Sequence, residues 1–367
     1  MTAALAVAVT LSAWLAYSYW GRPQPTPLQD FTAPFVFGRF TLPGHNLLTE
    51  ESVELGRRLF YDPRLSGNNQ VSCSTCHIQS MAFTDGRRTA VGVSGKPLTF
   101  NTMSLANLLW GPRHFFWNGR AASLEEQALV PIQHPDEMDQ DLDELVDELE
   151  GDPEYVRLFE QAYGKIDAET IASALASFQR TLVSSNSRYD QFLLGEARLT
   201  DLEEHGRKLF MAHPDVKVTL RGGNCIDCHS QFLTSGFNTL YDGFSNNGLD
   251  GDGELAPGLS QVTGKSEHRG LFKTPTLRNI ALTAPYMHDG RFDTLEEVLG
   301  HYNEGIKAST TLSPLIREAD NEGLEATGQI SLNLTEEEQV AIIAFLHTLT
   351  DEEFVTDPRF SNPFIER

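Results

Sequence analysis

A chain of 367 residues is long enough for two domains and a substantial core, and 40% hydrophobic with 22% charged residues describes a globular rather than a disordered protein. Its 28 basic residues against 51 acidic ones leave a net charge of −23. That excludes a nucleic-acid partner, since nothing would neutralise phosphates, and favours a basic partner, since opposite charge speeds encounter.

In chain order, residues 3–20, AALAVAVTLSAWLAYSYW, carry no charge. About 20 apolar residues span a bilayer core, so residues 1–20 read as a membrane anchor. A cleaved signal peptide is the other reading, although no small-x-small cleavage site stands near Ala16 and Arg22 lies on the side to be exported. Either way the remainder is expected in the periplasm. Residues 21–47 open with the Pro-rich GRPQPTPLQ and read as a tether.

ELGRRLF (54–60) then precedes CSTCH, which supplies Cys73, Cys76 and His77. C-x-x-C-H is the attachment signature of c-type haem: the two thiols reach the two vinyl groups of one porphyrin, and the adjacent histidine becomes the proximal iron ligand. Ser123-x-x-Glu126 is a capping box that opens a helix. In the acidic run DEMDQDLDELVDELE (136–150), Leu142, Leu145, Val146 and Leu149 recur at helical spacing, giving a solvated helix with one buried stripe.

The second half repeats the first. Thr200-x-x-Glu203 caps a helix carrying EHGRKLF (204–210), and CIDCH supplies Cys225, Cys228 and His229. NNGLDGDGE (246–254) reads as a polar turn, because Gly248 and Leu259 stand where a calcium loop needs acids. FKTPTLRNIALTAPYMHDGRFDTLEE (272–297) matches FNTMSLANLLWGPRHFFWNGRAASLEE (100–126) and sets Trp117 opposite His288, with Thr294-x-x-Glu297 as the next capping box. A last capped helix starts at Thr335. All four cysteines fall in the two C-x-x-C-H motifs; a zinc ribbon or disulfides would leave both trailing histidines unexplained. Alternating strand patterns are scarce. The expectation is a mainly α protein of two cytochrome-c-like helical domains, 48–190 and 191–367, each with one covalently bound haem c.

Over residues 48–350 these motifs resemble the bacterial di-haem cytochrome c peroxidase family. The resemblance implies that the N-terminal haem, on His77, binds hydrogen peroxide, that the C-terminal haem, on His229, stores or relays electrons, and that Trp117 lies between them. It implies a distal acid–base residue at Glu137, accompanied by Gln127 and Pro131. It also implies one calcium ion, held by the Asn101 side chain and the backbone carbonyls of Thr283 and Pro285.

Two positions depart from the ordinary peroxidases. They place a methionine fourteen residues after the histidine matching His288, as ligand of the second haem; here that position is Tyr302, with His301 beside it and Met287 expected in the apolar wall. A tyrosine there resembles the MauG-like branch, whose members oxidise residues of another protein. An anionic oxygen donor favours higher oxidation states of iron, whereas a thioether favours the ferrous state. Peroxidases activated by reduction also carry a histidine eight residues before the asparagine matching Asn101. Here it is Val93, so the first haem should be open without reduction. His114 reads as structural, as do His45, His134, His205, His213, His268 and His347. The implied protein is a hydrogen-peroxide-dependent oxidoreductase that passes oxidising equivalents by Trp117 to a Tyr302-ligated haem and on to an external donor, such as Trp or Tyr residues of a partner protein. The alternatives are a peroxide scavenger with a small cytochrome as donor, and a plain di-haem electron carrier. One member of the MauG-like branch relays through a surface tryptophan two residues before the second C-x-x-C-H; here it is Gly223, so the same route to the same substrate is not expected.

Overall fold

The computed structural model describes residues 25–29, 31–111, 114–233, 243–322 and 330–365; the anchor or signal segment expected at 1–20 lies outside them. Among the described residues no helix is long and apolar enough to cross a membrane. The helices are α1 (Glu50–Tyr61), α2 (Cys73–Cys76), α3 (Leu124–Gln133), α4 (Leu142–Glu150), α5 (Pro153–Ala162), α6 (Ala168–Thr181), α7 (Arg188–Leu193), α8 (Asp201–Met211), α9 (Cys225–Cys228), α10 (Leu295–Gly300), α11 (Glu336–His347) and α12 (Glu352–Thr356), with a few single turns between them. Two short strands, β1 (Phe244–Ser245) and β2 (Phe272–Lys273), pair antiparallel. The protein is mainly α, as its patterning implies.

Capping explains where the longer helices begin. Reciprocal capping boxes close α8 at Thr200 and Glu203, α10 at Thr294 and Glu297, and α11 at Thr335 and Glu338. At α3 only half of the expected box forms. Ser123 accepts from the Glu126 N–H at 3.0 Å, but the Glu126 carboxylate reaches past it to the Ala122 N–H at 2.7 Å. On α4, Leu145 and Leu149 are fully buried, while Leu142 and Val146 pack half-buried beside them.

The internal repeat extends to the backbone. α1 crosses α6, and α8 crosses α11, each through a glycine that lets the helices meet without side chains between them. A Cβ on Gly56 would lie 1.9 Å from the Ala174 carbonyl oxygen, and one on Gly206 would lie 1.8 Å from that of Ala341. Asn107 and Asn279 share a left-handed conformation (φ 62° and 61°), and their N–H groups donate to Leu182 at 2.8 Å and Leu349 at 3.0 Å. The loops holding Trp117 and His288 are closed by the paired bridges Phe115–Ala121 and Tyr286–Phe292. Each loop has positive φ at the residue before the aromatic ring, Phe116 (66°) and Met287 (74°), and again at Gly119 (78°) and Gly290 (63°).

Each half has its own apolar core. Leu55, Leu59, Phe60, Phe83 and Phe178 centre the first; Leu209, Phe210, Phe232, Ile342 and Phe345 centre the second. The C-terminal arm does not stay with the second. Phe354, Val355 and Phe360 are buried in the first core. Tyr61 Oη donates to the Phe360 carbonyl at 2.6 Å across 299 residues of chain, and Gln79 Nε2 donates to the Asp357 carbonyl at 2.8 Å.

Candidate functional site

Cys73, Cys76 and His77 form one wall of a cavity of about 480 Å³ that is lined by apolar side chains such as Phe60, Val71, Leu98 and Phe115. His77 Nδ1 faces the Phe83 carbonyl at 2.8 Å and must donate to it, which leaves Nε2 as the lone-pair nitrogen. Burial pulls the His77 pKa down and keeps the imidazole neutral, as a metal ligand requires. His229 is built alike: Nδ1 faces the Pro275 carbonyl at 3.2 Å, and burial brings its pKa down to about 4. The cavity also fits a bound group on its polar side. Asn118 Oδ1, Gln127 Oε1 and Gln179 Oε1 are buried acceptors without hydrogen-bond partners, and all three residues line it. An apolar pocket edged by two cysteines, an oriented neutral histidine and unsatisfied acceptors suits a covalently held haem with an oxygen-bearing ligand beside it.

Gln127, Pro131 and Glu137, expected from the resemblance, line the same cavity. Gln127 and Pro131 stand one turn apart on α3, where the proline ring has no N–H for the Gln127 carbonyl. Glu137 Oε1 lies 3.3 Å from Arg120 Nη2, and the Arg120 guanidinium sits 3.8 Å from the centre of the Phe116 ring. Burial pushes the Glu137 carboxyl up, while the charges of Arg120 and His134 pull it down. Arg120 is a site residue that motif reading passed over. The available signal was the paired NGR and DGR of the two halves, whose second arginine, Arg291, is held by Asp250 at 3.0 Å and Asp289 at 2.8 Å. The Val93 N–H donates to the Glu137 carbonyl at 2.8 Å, and a Cβ on Gly92 would come within 2.2 Å of that oxygen. The backbone of Gly92 and Val93 thus packs the loop directly against Glu137. His114 and His134, read from sequence as structural, are both on the cavity wall.

Between the halves, Trp117 is buried, and its indole N–H donates to the Asn101 carbonyl at 2.9 Å. Its ring meets the edge of His288 at 6.5 Å between centroids, and His288 stacks on Phe272 at 3.6 Å. The Asn101 N–H donates to the His288 carbonyl at 2.9 Å, and the Lys273 N–H to that of Trp117 at 2.9 Å. Trp117, Asn101 and His288 therefore form one linked unit. The Asn101 amide donates to the Arg87 carbonyl at 2.9 Å, which leaves its Oδ1 available as an acceptor. Among the described residues no group of three or more His, Cys, Asp and Glu side chains could hold a metal ion.

In the second half, Tyr302 lies in a π-helical turn (His301–Gly305) that follows α10, a local distortion frequent at functional sites. Burial pushes its phenol up to about 12, and Tyr302 packs against the second core, as Cys225 does. Its oxygen accepts a hydrogen bond from Asn247 Nδ2 at 3.2 Å. The same nitrogen is 3.5 Å from Met287 Sδ, so Met287 does more than fill an apolar wall. His301 Nε2 lies 3.1 Å from the Asn247 carbonyl, so the nitrogen that could compete for iron is used as a donor. The segment read as a polar turn is thus part of this site. Gly223 packs closely on the second-site cysteine: a Cβ there would lie 2.9 Å from Cys225 Sγ.

The comparisons with known proteins point the same way. The family model described as di-haem cytochrome c peroxidase matches residues 50–198. The chain is 38% identical to methylamine utilization protein MauG of Methylorubrum extorquens, over 84% of this chain and 81% of that protein. It is 32% identical to cytochrome c551 peroxidase of Nitrosomonas europaea, over 86% of this chain and 83% of that protein. The crystal structure of a MauG-like protein associated with microbial copper homeostasis superposes with a TM-score of 0.79 at 36% identity, covering 92% of this chain and 99% of that one.

Proposed function

The chain belongs to the di-haem cytochrome c peroxidase family, and on that premise we propose that it is a MauG-like, hydrogen-peroxide-dependent oxidase that draws electrons from Trp or Tyr residues of a partner protein. Two covalently bound haem c groups would supply the chemistry of O–O cleavage at the first site and the storage of oxidising equivalents at the second. Cys73, Cys76 and His77 hold one group; Cys225, Cys228, His229 and Tyr302 hold the other. Glu137 takes the proton from the peroxide oxygen nearer the metal and returns it to the leaving oxygen. Arg120 opposes the rise that burial gives the Glu137 carboxyl, and Gln127 offers an unpaired acceptor to the incoming O–H. Trp117, linked to Asn101 and His288, carries the electron between the halves.

Calcium at Asn101, Thr283 and Pro285 belongs to the same proposal; the free Oδ1 of Asn101 and its bond to His288 support it. So do a periplasmic location and tethering by residues 1–20, on the haem attachment motifs and the uncharged leader.

The observation that carries the reading is Tyr302, half-buried against the second core as Cys225 is, where ordinary peroxidases place a thioether. The test adds one equivalent of hydrogen peroxide to the as-isolated diferric protein without reductant, followed by EPR and Mössbauer spectroscopy. Loss of both ferric signals is expected. A protein that stays inert until one haem is reduced would instead be a cytochrome-fed peroxidase, and one inert in both states an electron carrier.

A further inference from the structure

Three side chains near the second haem site could compete for iron, and one residue touches them all. Asn247 donates to Tyr302 Oη at 3.2 Å, places the same Nδ2 3.5 Å from Met287 Sδ, and accepts from His301 Nε2 through its carbonyl at 3.1 Å. We propose that Asn247 is the positioning residue that selects Tyr302 over Met287 and His301 as the ligand of the second haem and sets how strongly that ligand donates. The inference rests on the reading of Tyr302 as that ligand.

The chemistry follows from what each group keeps after meeting Asn247. His301 has spent Nε2 as a donor, and its Nδ1 faces the backbone, 3.1 Å from where a Cβ on Gly305 would stand. Met287 offers a weak thioether acceptor already directed at an amide N–H. A phenolate oxygen can accept one hydrogen bond and still bind a cation. Among the described residues the Tyr302 hydroxyl has that one bond only, as an acceptor. The neighbouring chain is fixed enough to impose the choice. The Asn246 side chain donates to Ser309 at 3.0 Å and Thr311 at 2.9 Å, and Gly248, with φ 78°, packs where a Cβ would meet Ile306 at 2.6 Å. Groups that hydrogen-bond a metal ligand fix its orientation and basicity.

A donor on the ligand oxygen withdraws electron density and so favours the ferrous form. A hydrogen bond to a charged group contributes about 1.5–3 kcal/mol, and roughly 1.4 kcal/mol is a factor of ten. Asn247→Leu in the holoprotein should therefore shift the ferric–ferrous equilibrium of the second haem toward ferric by about tenfold, or about 59 mV for one electron. Its ferric EPR signal should change, while that of the first haem stays as it was and reports an intact fold. Asn247→Asp, which replaces the donor with an acceptor at nearly the same volume, should lower the potential at least as far and covers failure of the leucine variant to fold. Unchanged potential and EPR in these variants, with both altered by Tyr302→Phe, would overturn the role of Asn247 alone. If Tyr302→Phe alters neither, the ligand assignment falls and this inference falls with it.

Discussion

Replacing Glu137 with Gln keeps the shape of the distal residue and removes its ability to take a proton. Acid–base groups of this kind contribute about 10²–10⁴-fold, or about 2.7–5.4 kcal/mol of barrier. The structure adds a pH dependence. Burial raises the Glu137 pKa, and Arg120, 3.3 Å away, opposes that rise. Only the ionised carboxylate accepts the peroxide proton, so the rate should fall as pH drops through a pKa above that of an exposed glutamate. Removing the guanidinium with Arg120→Leu leaves burial less opposed and should move this acid limb to higher pH. The assay is stopped-flow mixing of the diferric protein with peroxide across pH. A Glu137→Gln rate within a factor of about three of the parent, or an acid limb unmoved by Arg120→Leu, would refute the assignment.

Trp117→Phe removes one buried hydrogen bond, to Asn101, at a cost of about 1 kcal/mol, so the protein should stay folded while spectral communication between the haems is lost. Communication that persists would exclude Trp117 as the relay. Calcium titrated into chelator-treated protein should give a binding isotherm that Asn101→Ala abolishes; no heat in the parent would remove the calcium site. Gly206→Ala drives a methyl to 1.8 Å from the Ala341 carbonyl and should destabilise the second half by about 1–3 kcal/mol, read from thermal bleaching of the haem bands. An unchanged melting curve would show that the helices separate at no cost.

What the sequence showed well was local. Capping pairs three apart named the starts of α8, α10 and α11, and ELGRRLF and EHGRKLF marked a matching pair of helices, whose glycines turn out to sit at the two crossings. Trp117 and His288 aligned through flanking residues, and their loops do share one backbone. The residues that escaped notice act at a distance. Asn247 reaches Tyr302 across 55 positions, from a stretch whose Gly and Asp content resembles any polar turn. Arg120 meets Glu137 only because the chain doubles back after α3. The Glu126 carboxylate found Ala122 rather than the residue three before it, a choice of side-chain reach that no motif encodes.

The C-terminal arm bears on how the molecule is made. The core of the first unit includes Phe354, Val355 and Phe360, supplied by a stretch of chain that follows the whole second unit in sequence. In the order of synthesis, Cys73 and Cys76 come long before these residues. Haem attached before the arm is made would meet a core that still lacks these three side chains, and the Tyr61 and Gln79 bonds to the arm could form only afterwards. A first unit cut off before these residues lacks part of the core that it has in the whole chain.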